Sequence, residues 1–207
     1  MRTRLTLALL VASFGCGFSA DAYREFVANF GRLKTLSARF EQEVETPFGT
    51  ETASGLVWIR RPALIKWEYR QPERKIFLLD GNRYKMYLPE ENQFIIQRLD
   101  PEEIDGSPLP FILGQRRQLE ETYSVTPVDS GEGRSRFLLT ARKAGPVFSR
   151  IILTLSGTPP WMEELILFEE GGTPHRYRFS EFTPEPRLPD AAFRLEIPKG
   201  AEVIEER

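Results

Sequence analysis

The stretch that decides the fold is Ser54–Arg70, which reads SGLVWIRRPALIKWEYR. In its second half Ile65, Trp67 and Tyr69 are large and mainly apolar, whereas the residues between them are charged. An alternation of period two is typical of a β-strand with one face toward a core and the other toward water. Gly55–Ile59 is a second strand candidate, so the stretch predicts two adjacent strands of one sheet.

Strand-like segments of the same kind continue along most of the chain. Several are separated by turn sequences, namely Asp80-Gly81-Asn82, Gly131-Glu132-Gly133 and Gly171-Gly172, which are hairpin signals. We therefore expect a mainly antiparallel sheet. The further strand candidates are Leu36–Phe40, Lys75–Leu79, Tyr84–Leu88, Phe94–Leu99, Tyr123–Val128, Arg136–Ala141, Ile151–Leu155, Met162–Glu169, His175–Phe182 and Phe193–Ile197.

A helical pattern precedes the first strand. Phe26, Phe30, Leu33 and Leu36 recur at spacings of three or four residues and form one apolar stripe. The segment Tyr23–Leu36 is therefore predicted to be an amphipathic helix. Its stripe would either pack against the core or cover a cavity, and the pattern does not separate these two roles.

A second break in the strand pattern lies near the middle of the chain. Ser107–Gly114 is apolar and contains two prolines, which predicts a short helix or turn, followed by Gln115–Glu121. The tail Ala201–Arg207 is charged, and we expect it to be disordered. No internal repeat or linker is evident, so a single domain is expected.

Many strands with two short helices indicate the α+β class, with a curved antiparallel sheet. Aromatic residues along the strands would form the core of a closed sandwich or line the cavity of a half-open barrel. Both possibilities remain open at this point. These aromatic residues are Trp58, Trp67, Phe77, Tyr84, Tyr87, Phe94, Phe137, Phe168 and Phe179.

The first 22 residues have the pattern of a secretory signal peptide. Arg2 and Arg4 form a positive start, Leu5–Ala12 is mostly apolar, and Ala20-Asp21-Ala22 fits the small-x-small cleavage pattern. We expect cleavage near Ala22, with Ser19 and Ala20 as alternative cleavage points, and a domain over residues 23–207. The alternative is lipid attachment at Cys16, which would anchor the protein to a membrane.

Composition excludes several function classes. The 28 Lys and Arg residues are balanced by 30 Asp and Glu residues, so there is no basic excess for nucleic-acid binding. A single Cys and a single His are too few for a zinc site, and one Cys cannot form a disulfide within the chain. We therefore expect neither a metal nor a cofactor.

Enzymatic activity is not expected. A Ser-His-Asp triad would need His175, which follows a Gly-Gly turn at a predicted strand start, and no G-x-S-x-G sequence is present. There is also no phosphate-binding loop or dinucleotide glycine motif. Acidic pairs such as Glu163 and Glu164 are explained by a solvated strand face.

Gly55–Pro62 has the pattern G-x-x-W-x-[KR]-R-P and is followed by the alternating segment Ile65–Tyr69. These segments resemble, in the same order, those of the periplasmic outer-membrane lipoprotein carrier family LolA. The flanking segments that also match are Leu36–Gln42, Gln71-Pro72, Leu79–Gly81 and Leu109–Leu113. The likeness is strong between Leu33 and Leu113 and thin beyond.

The resemblance implies a half-open antiparallel β-barrel with a helical lid. It also implies a monomeric periplasmic chaperone that accepts acylated lipoproteins from an inner-membrane ABC transporter and delivers them to an outer-membrane acceptor. The residue that maps onto the family's latch, which holds the lid closed by hydrogen bonds, is Arg61. Its neighbour Arg60 has the opposite side-chain parity and is expected to face water.

The resemblance also assigns side chains to the cavity and the lid. The expected wall of the lipid-binding cavity is Val57, Ile59, Ile65, Trp67, Tyr69, Phe77 and Leu79. The expected lid residues are Phe26, Phe30, Leu33, Phe111 and Leu113. The alternative functions on the same architecture are an outer-membrane acceptor resembling LolB, which would need a lipidated Cys16, or a lipid-sensing module.

Overall fold

One twelve-stranded sheet dominates this computed structural model, which describes residues 18–99, 116–144, 148–169 and 172–206. In the chain, helix α1 precedes the strands and the short helix α2 lies between β6 and β7. The elements are α1 Phe18–Arg32, β1 Thr35–Thr46, β2 Gly49–Arg60, β3 Leu64–Gln71, β4 Lys75–Asp80, β5 Arg83–Leu88, β6 Gln93–Arg98, α2 Arg116–Thr122, β7 Tyr123–Gly131, β8 Arg134–Ala141, β9 Phe148–Ser156, β10 Trp161–Glu169, β11 His175–Pro184, a 3₁₀ turn Asp190–Phe193 and β12 Glu202–Glu206.

The strands lie in the order β12-β6-β5-β4-β3-β2-β1-β11-β10-β9-β8-β7. All neighbouring pairs are antiparallel except β12 and β6, which are parallel. The prediction of a mainly antiparallel sheet is confirmed. Within the described residues β12 and β7 are the two edges and do not pair with each other, so the sheet is open.

The register of β1, β2 and β3 places their apolar residues on one face. Ala38 lies opposite Val57, which in turn lies opposite Trp67. Directly opposite residues in an antiparallel pair project from the same face, so these side chains form one continuous apolar layer. The large side chains that alternate in Ile65–Tyr69 therefore lie on the inner face of the sheet.

Gly55 permits the close approach of β1, β2 and β3. The pairing of β2 with β3 shifts between Ser54 and Gly55, as in a β-bulge. A Cβ atom on Gly55 would lie 1.9 Å from the carbonyl oxygen of Glu68 and 2.9 Å from Cε1 of Phe40. Only glycine fits at this position, because the contact with Glu68 involves backbone that cannot move aside.

Helix α1 packs against β7, β8, β9 and β10. Its Phe26 and Phe30 are buried and stack with ring centroids 5.0 Å apart. One turn earlier, the ring of Tyr23 lies 5.4 Å from that of Phe137 on β8. The apolar stripe predicted for the helix therefore joins the main core.

The predicted end of this helix is wrong. The helix ends at Arg32 and β1 begins at Thr35, so Leu36 belongs to the strand, where it lies opposite Ile59. Leu36 fits both the helical spacing and the strand alternation, and cross-strand pairing decides between them. The helix begins at Phe18, before the expected cleavage point, and the boundary at residue 22 stays a prediction.

The predictions for the C-terminal residues are also wrong. The expected strand Phe193–Ile197 is absent, since Asp190–Phe193 forms a 3₁₀ turn after Pro189, with Phe193 buried. The tail that was expected to be disordered forms β12, which extends the sheet by pairing with β6. Val203 and Ile204 are adjacent β-branched residues, a type that is enriched in strands.

Candidate functional site

An open cavity of about 400 Å³ lies within the curve of the sheet. Its walls come from β3–β6, which we call the open arm, and from β10 and β11. Three strands separate β3 from β10 in the sheet order, so the sheet must curl for both to line one cavity. The lining residues are Ile65, Trp67, Tyr69, Phe77, Leu79, Tyr84, Gln97, Leu99, Leu165, Leu167, Tyr177 and Phe179.

Strand pairing explains why these side chains converge. On the open arm Trp67 lies opposite Phe77 and Leu79 lies opposite Tyr84, so alternate residues of β3, β4 and β5 share one face. On the far wall Leu165 of β10 lies opposite Tyr177 of β11. The period-two pattern of each strand therefore supplies a mainly apolar face, and the curl of the sheet brings its two parts together around the cavity.

Aromatic rings connect the two walls. The ring of Trp67 lies 5.8 Å from that of Tyr177 and 6.2 Å from that of Phe179, both in edge-on geometry. On the open arm the rings of Tyr69 and Phe77 are 5.4 Å apart. Edge-to-face packing of this kind fixes the rings while leaving the space in front of them unfilled.

Polar groups meet at one end of the cavity. The Tyr69 hydroxyl donates a hydrogen bond of 2.8 Å to Oε1 of Gln42, and Nε2 of Gln42 donates one of 3.0 Å to the Tyr177 hydroxyl. Burial is the main reason that the pKa values of Tyr69, Tyr84 and Tyr177 are raised above the ordinary tyrosine value. The three hydroxyls therefore stay neutral at physiological pH.

Arg61 joins the start of the open arm to helix α1. Its guanidinium donates a hydrogen bond of 2.5 Å to the carbonyl of Leu33, and it lies 4.8 Å from the ring centroid of Phe30. Burial lowers the pKa of Arg61, and the negative charge of Glu185 acts in the opposite direction. An arginine stays protonated under such shifts, so a cation holds the end of the helix.

The connection between α1 and β1 is held from its other side by Glu185. The backbone N–H of Lys34 donates a hydrogen bond of 2.6 Å to Oε1 of Glu185, whose own N–H donates to the carbonyl of Thr35 at 3.0 Å. Glu185 has a φ of 49°, in the left-handed region that non-glycine residues seldom adopt. The junction Leu33–Thr35 is thus clamped between Arg61 and Glu185.

The expectation that Arg60 faces water is wrong. Its guanidinium donates hydrogen bonds to Oδ1 of Asp190, at 2.7 Å, and to the carbonyl of Leu188. It also lies 4.6 Å from the ring centroid of Phe193. Strand parity correctly places Arg60 on the face opposite Arg61, but the segment after β11 crosses that face and covers it.

Within the described residues, no group of three or more His, Cys, Asp or Glu side chains is arranged to hold a metal ion. Neither of the helices within those ranges has the length and apolar character needed to cross a membrane.

The sequence model of the family described as "Outer membrane lipoprotein carrier protein LolA" matches residues 31–196. This chain belongs to the LolA family. The match includes strands β1–β11 and the 3₁₀ turn, so it extends well past the region where the motifs are recognisable by eye. LolA proteins are carriers rather than enzymes.

Curated LolA relatives match along most of their length. The outer-membrane lipoprotein carrier protein of Neisseria meningitidis serogroup B is 28% identical over 199 residues, which covers 96% of this chain and 92% of the relative. The protein of the same name from Dechloromonas aromatica is 27% identical over 190 residues, covering 91% and 88% of the two chains.

Solved structures support the fold alone. A conserved protein from Thermus thermophilus has a TM-score of 0.57 at 14% identity, covering 90% of this chain and 98% of that chain. The MucA/MucB complex of Pseudomonas aeruginosa gives a TM-score of 0.52 at 12% identity, covering 86% of this chain and 60% of that chain.

Five of the seven expected LolA cavity residues line the cavity, namely Ile65, Trp67, Tyr69, Phe77 and Leu79. Val57 and Ile59 are not lining residues and are buried, 3% and 2% exposed, in the core cluster that also contains Phe30 of α1. Ile65 and Leu79 belong to the same cluster, so the cavity wall is continuous with the core.

The expected lid residues are only partly placed. Phe26 and Phe30 are buried in the core under α1, and Leu33 is half-buried beside Arg61. None of these three is a lining residue of the cavity. Phe111 and Leu113 lie outside the described residues. Helix α1 packs against β10, whose Leu165 and Leu167 line the cavity, and its role as a lid stays a prediction.

Seven of the twelve cavity-lining residues were not anticipated from the LolA motifs. Leu165, Leu167, Tyr177 and Phe179 come from β10 and β11, where the motif likeness is thin. Their strands were predicted by alternation, but only the curl of the sheet brings them opposite β3. Gln42 ends the matching segment Leu36–Gln42, yet nothing in the sequence indicates that it bonds to two tyrosines.

Proposed function

We propose that this protein is a periplasmic chaperone that carries lipoproteins from the inner to the outer membrane. It would bind their acyl chains in the cavity, accept them from an inner-membrane ABC transporter and deliver them to an outer-membrane acceptor. The observation that carries the proposal is the open, mainly apolar cavity lined by Trp67, Tyr69 and Phe77, in a chain of the LolA family.

The chemistry of the cavity suits this cargo. Burying an acyl chain yields roughly 0.8 kcal/mol per CH₂ group, so a lipid needs an apolar container to leave a membrane at a useful rate. Aromatic and aliphatic walls bind by area and impose few directional bonds. Such walls suit cargoes that share their lipid and differ in their protein part.

Release requires that the empty state also be stable. Arg61 supports this requirement, because its hydrogen bond to Leu33 and its position over Phe30 stabilise the arrangement in which α1 is docked. If α1 moves to admit lipid, those contacts are lost and favour its return. We therefore include in the proposal that α1 is the lid and Arg61 its latch.

The test is uptake of a fluorescent triacylated lipopeptide, followed by co-elution in gel filtration. The wild type should bind it, and Trp67→Glu should abolish binding because it places a charge in the apolar wall. Trp58→Glu is the matched control, since Trp58 lies on the neighbouring strand with its ring near Lys66 on the other face. Binding by a folded Trp67→Glu protein would place the lipid elsewhere.

Export to the periplasm is a separate part of the proposal. It rests on the signal-peptide pattern of residues 1–22 and on the family, and it is tested by the mass of the mature protein. A start near Tyr23 without acyl mass supports the soluble carrier. A diacylglyceryl group on Cys16 would instead support the membrane-anchored acceptor.

A further inference from the structure

A second cavity, of about 590 Å³, adjoins the first. Tyr69 and Phe77 line both, so the two spaces share these side chains as a common wall. The second cavity has a different character, because Glu51, Glu73 and Lys75 contribute to its lining. An apolar chain gains little from such a rim, whereas a polypeptide backbone finds hydrogen-bonding partners there.

The hydrogen-bonded set of Gln42, Tyr69 and Tyr177 lies at the boundary between the two cavities. Gln42 lines the second cavity, Tyr177 lines the first, and Tyr69 lines both. Gln42 bridges the two hydroxyls, with bonds of 2.8 Å from Tyr69 and 3.0 Å to Tyr177. The lining thus changes from the mainly apolar residues of the first cavity to the more polar residues of the second at these three side chains.

This set retains hydrogen-bonding capacity for a ligand. The Tyr69 hydroxyl already donates to Gln42, and the hydroxyls of Tyr69 and Tyr177 are also hydrogen-bonded to each other, so the donor left for a ligand is the second N–H of the Gln42 amide. Burial raises the pKa of both tyrosines, so both hydroxyls stay neutral at physiological pH and keep their bonds to Gln42. The set therefore offers a neutral N–H donor where the first cavity meets the second.

We propose that this boundary is a subsite for the ester and amide carbonyls that join acyl chains to a polypeptide. The second cavity would then take the first residues of that polypeptide. The inference rests on the proposed function and specifies which part of the cargo the protein recognises through hydrogen bonds. A carbonyl buried without a donor is costly, so a carrier with donors here favours acylated polypeptides over plain hydrocarbon.

The experiment compares two probes that differ only at the proposed contact. One is a lipopeptide whose two hexadecanoyl chains are attached to a glyceryl-cysteinyl peptide through esters, and the other is its dihexadecyl ether analogue. The wild type should bind the ester probe up to about tenfold more tightly, as one or two neutral hydrogen bonds allow. Tyr177→Phe and Gln42→Leu should bind both probes with nearly the affinity of the wild type for the ether.

Tyr87→Phe is the matched control, because Tyr87 lies on β5 outside the cavity linings and keeps the same ring chemistry. It should retain the ester preference. Equal affinity of the wild type for the two probes, or a full ester preference in Tyr177→Phe and Gln42→Leu, would overturn the subsite while leaving the carrier intact. Binding of neither probe by the wild type would overturn the carrier and the subsite together.

Discussion

The two arms of this sheet show how one pattern of residues serves two purposes. On the packed arm, β7–β10, the inner side chains Phe137, Leu139 and Leu153 are at most 1% exposed beneath α1. On the open arm, Trp67 and Phe77 alternate in the same way but remain only partly buried around the cavity. Strand alternation produces an apolar face, and the part of that face that α1 covers becomes core.

The largest expected effect comes from truncating one phenylalanine in each arm. Phe137→Ala should lower the free energy of unfolding by about 3–5 kcal/mol, because it opens a hole in a filled core. Phe77→Ala should cost less than half as much, since its ring already borders open space. Urea denaturation of the two variants measures the difference. Equal losses would contradict the division into a packed and an open arm.

The second-largest effect is expected at Arg61, which joins the start of the open arm to the end of α1. Arg61→Leu should fold, because an apolar side chain suits its surroundings, and it should release bound triacylated lipopeptide about tenfold more slowly. The closed state loses a charged hydrogen bond worth roughly 1.5–3 kcal/mol, so lipid retention is favoured. The measurement is the rate of transfer to acceptor vesicles.

Arg60→Leu is the control for that experiment. It removes the contacts with Asp190 and Phe193 on the other face and leaves the Leu33 contact of Arg61 in place. It should cost stability without changing the release rate. A normal release rate in Arg61→Leu, or the same slow rate in both variants, would exclude a specific latch.

A smaller effect is expected at the junction between α1 and β1. Glu185→Ala removes the acceptor of the Lys34 N–H and should lower hydrogen-exchange protection in the last turn of α1 about fivefold, as for one hydrogen bond. Glu181→Ala is matched in backbone strain, since φ is 52° at Glu181 and 49° at Glu185. Mass-spectrometric exchange that finds the two variants alike would show that Glu185 does not restrain the helix.

The smallest effect is a loss of stability at alkaline pH. Burial raises the pKa of Tyr69 and Tyr177 on the cavity wall, and it raises the pKa of Tyr123 at the start of β7 to about 12. The unfolded chain ionises near pH 10 and the folded protein only above it, so stability is full below pH 10 and falls above it.

Tyr177→Phe should reduce the steepness of this alkaline loss, measured by urea midpoints between about pH 9 and 12. Absorbance titration should show the buried tyrosines ionising later than free tyrosine. Ionisation of all six tyrosines near pH 10 in the folded protein would contradict the burial of these hydroxyls.

The fold was predictable wherever one residue pattern allowed one structure. Alternation in Ile65–Tyr69 and the turn at Gly81 yield the observed β3 and the β4–β5 hairpin without tertiary information. Leu36 satisfied both periods, and pairing with Ile59 decided for the strand. Local patterns fail at such positions because the deciding contact lies far away in the sequence.

The site was predictable on one wall only. The motif-bearing strands supply Trp67 and Phe77, whereas Leu165 and Tyr177 arrive through the curl of the sheet, which no local pattern encodes. The Gln42 bridge likewise joins residues 27 and 135 positions apart. Side chains that meet across such distances become visible only in the folded protein.

The most direct test of the central claim is native mass spectrometry of the protein, expressed with residues 1–22 intact and purified from the periplasm. The account predicts a bound acylated lipoprotein that acyl-chain competitors displace, and its loss in Trp67→Glu but not in Trp58→Glu. A wild-type protein that carries no acylated protein, and that acquires none when mixed with a triacylated lipoprotein, would contradict the claim that the open arm is a lipoprotein-binding site.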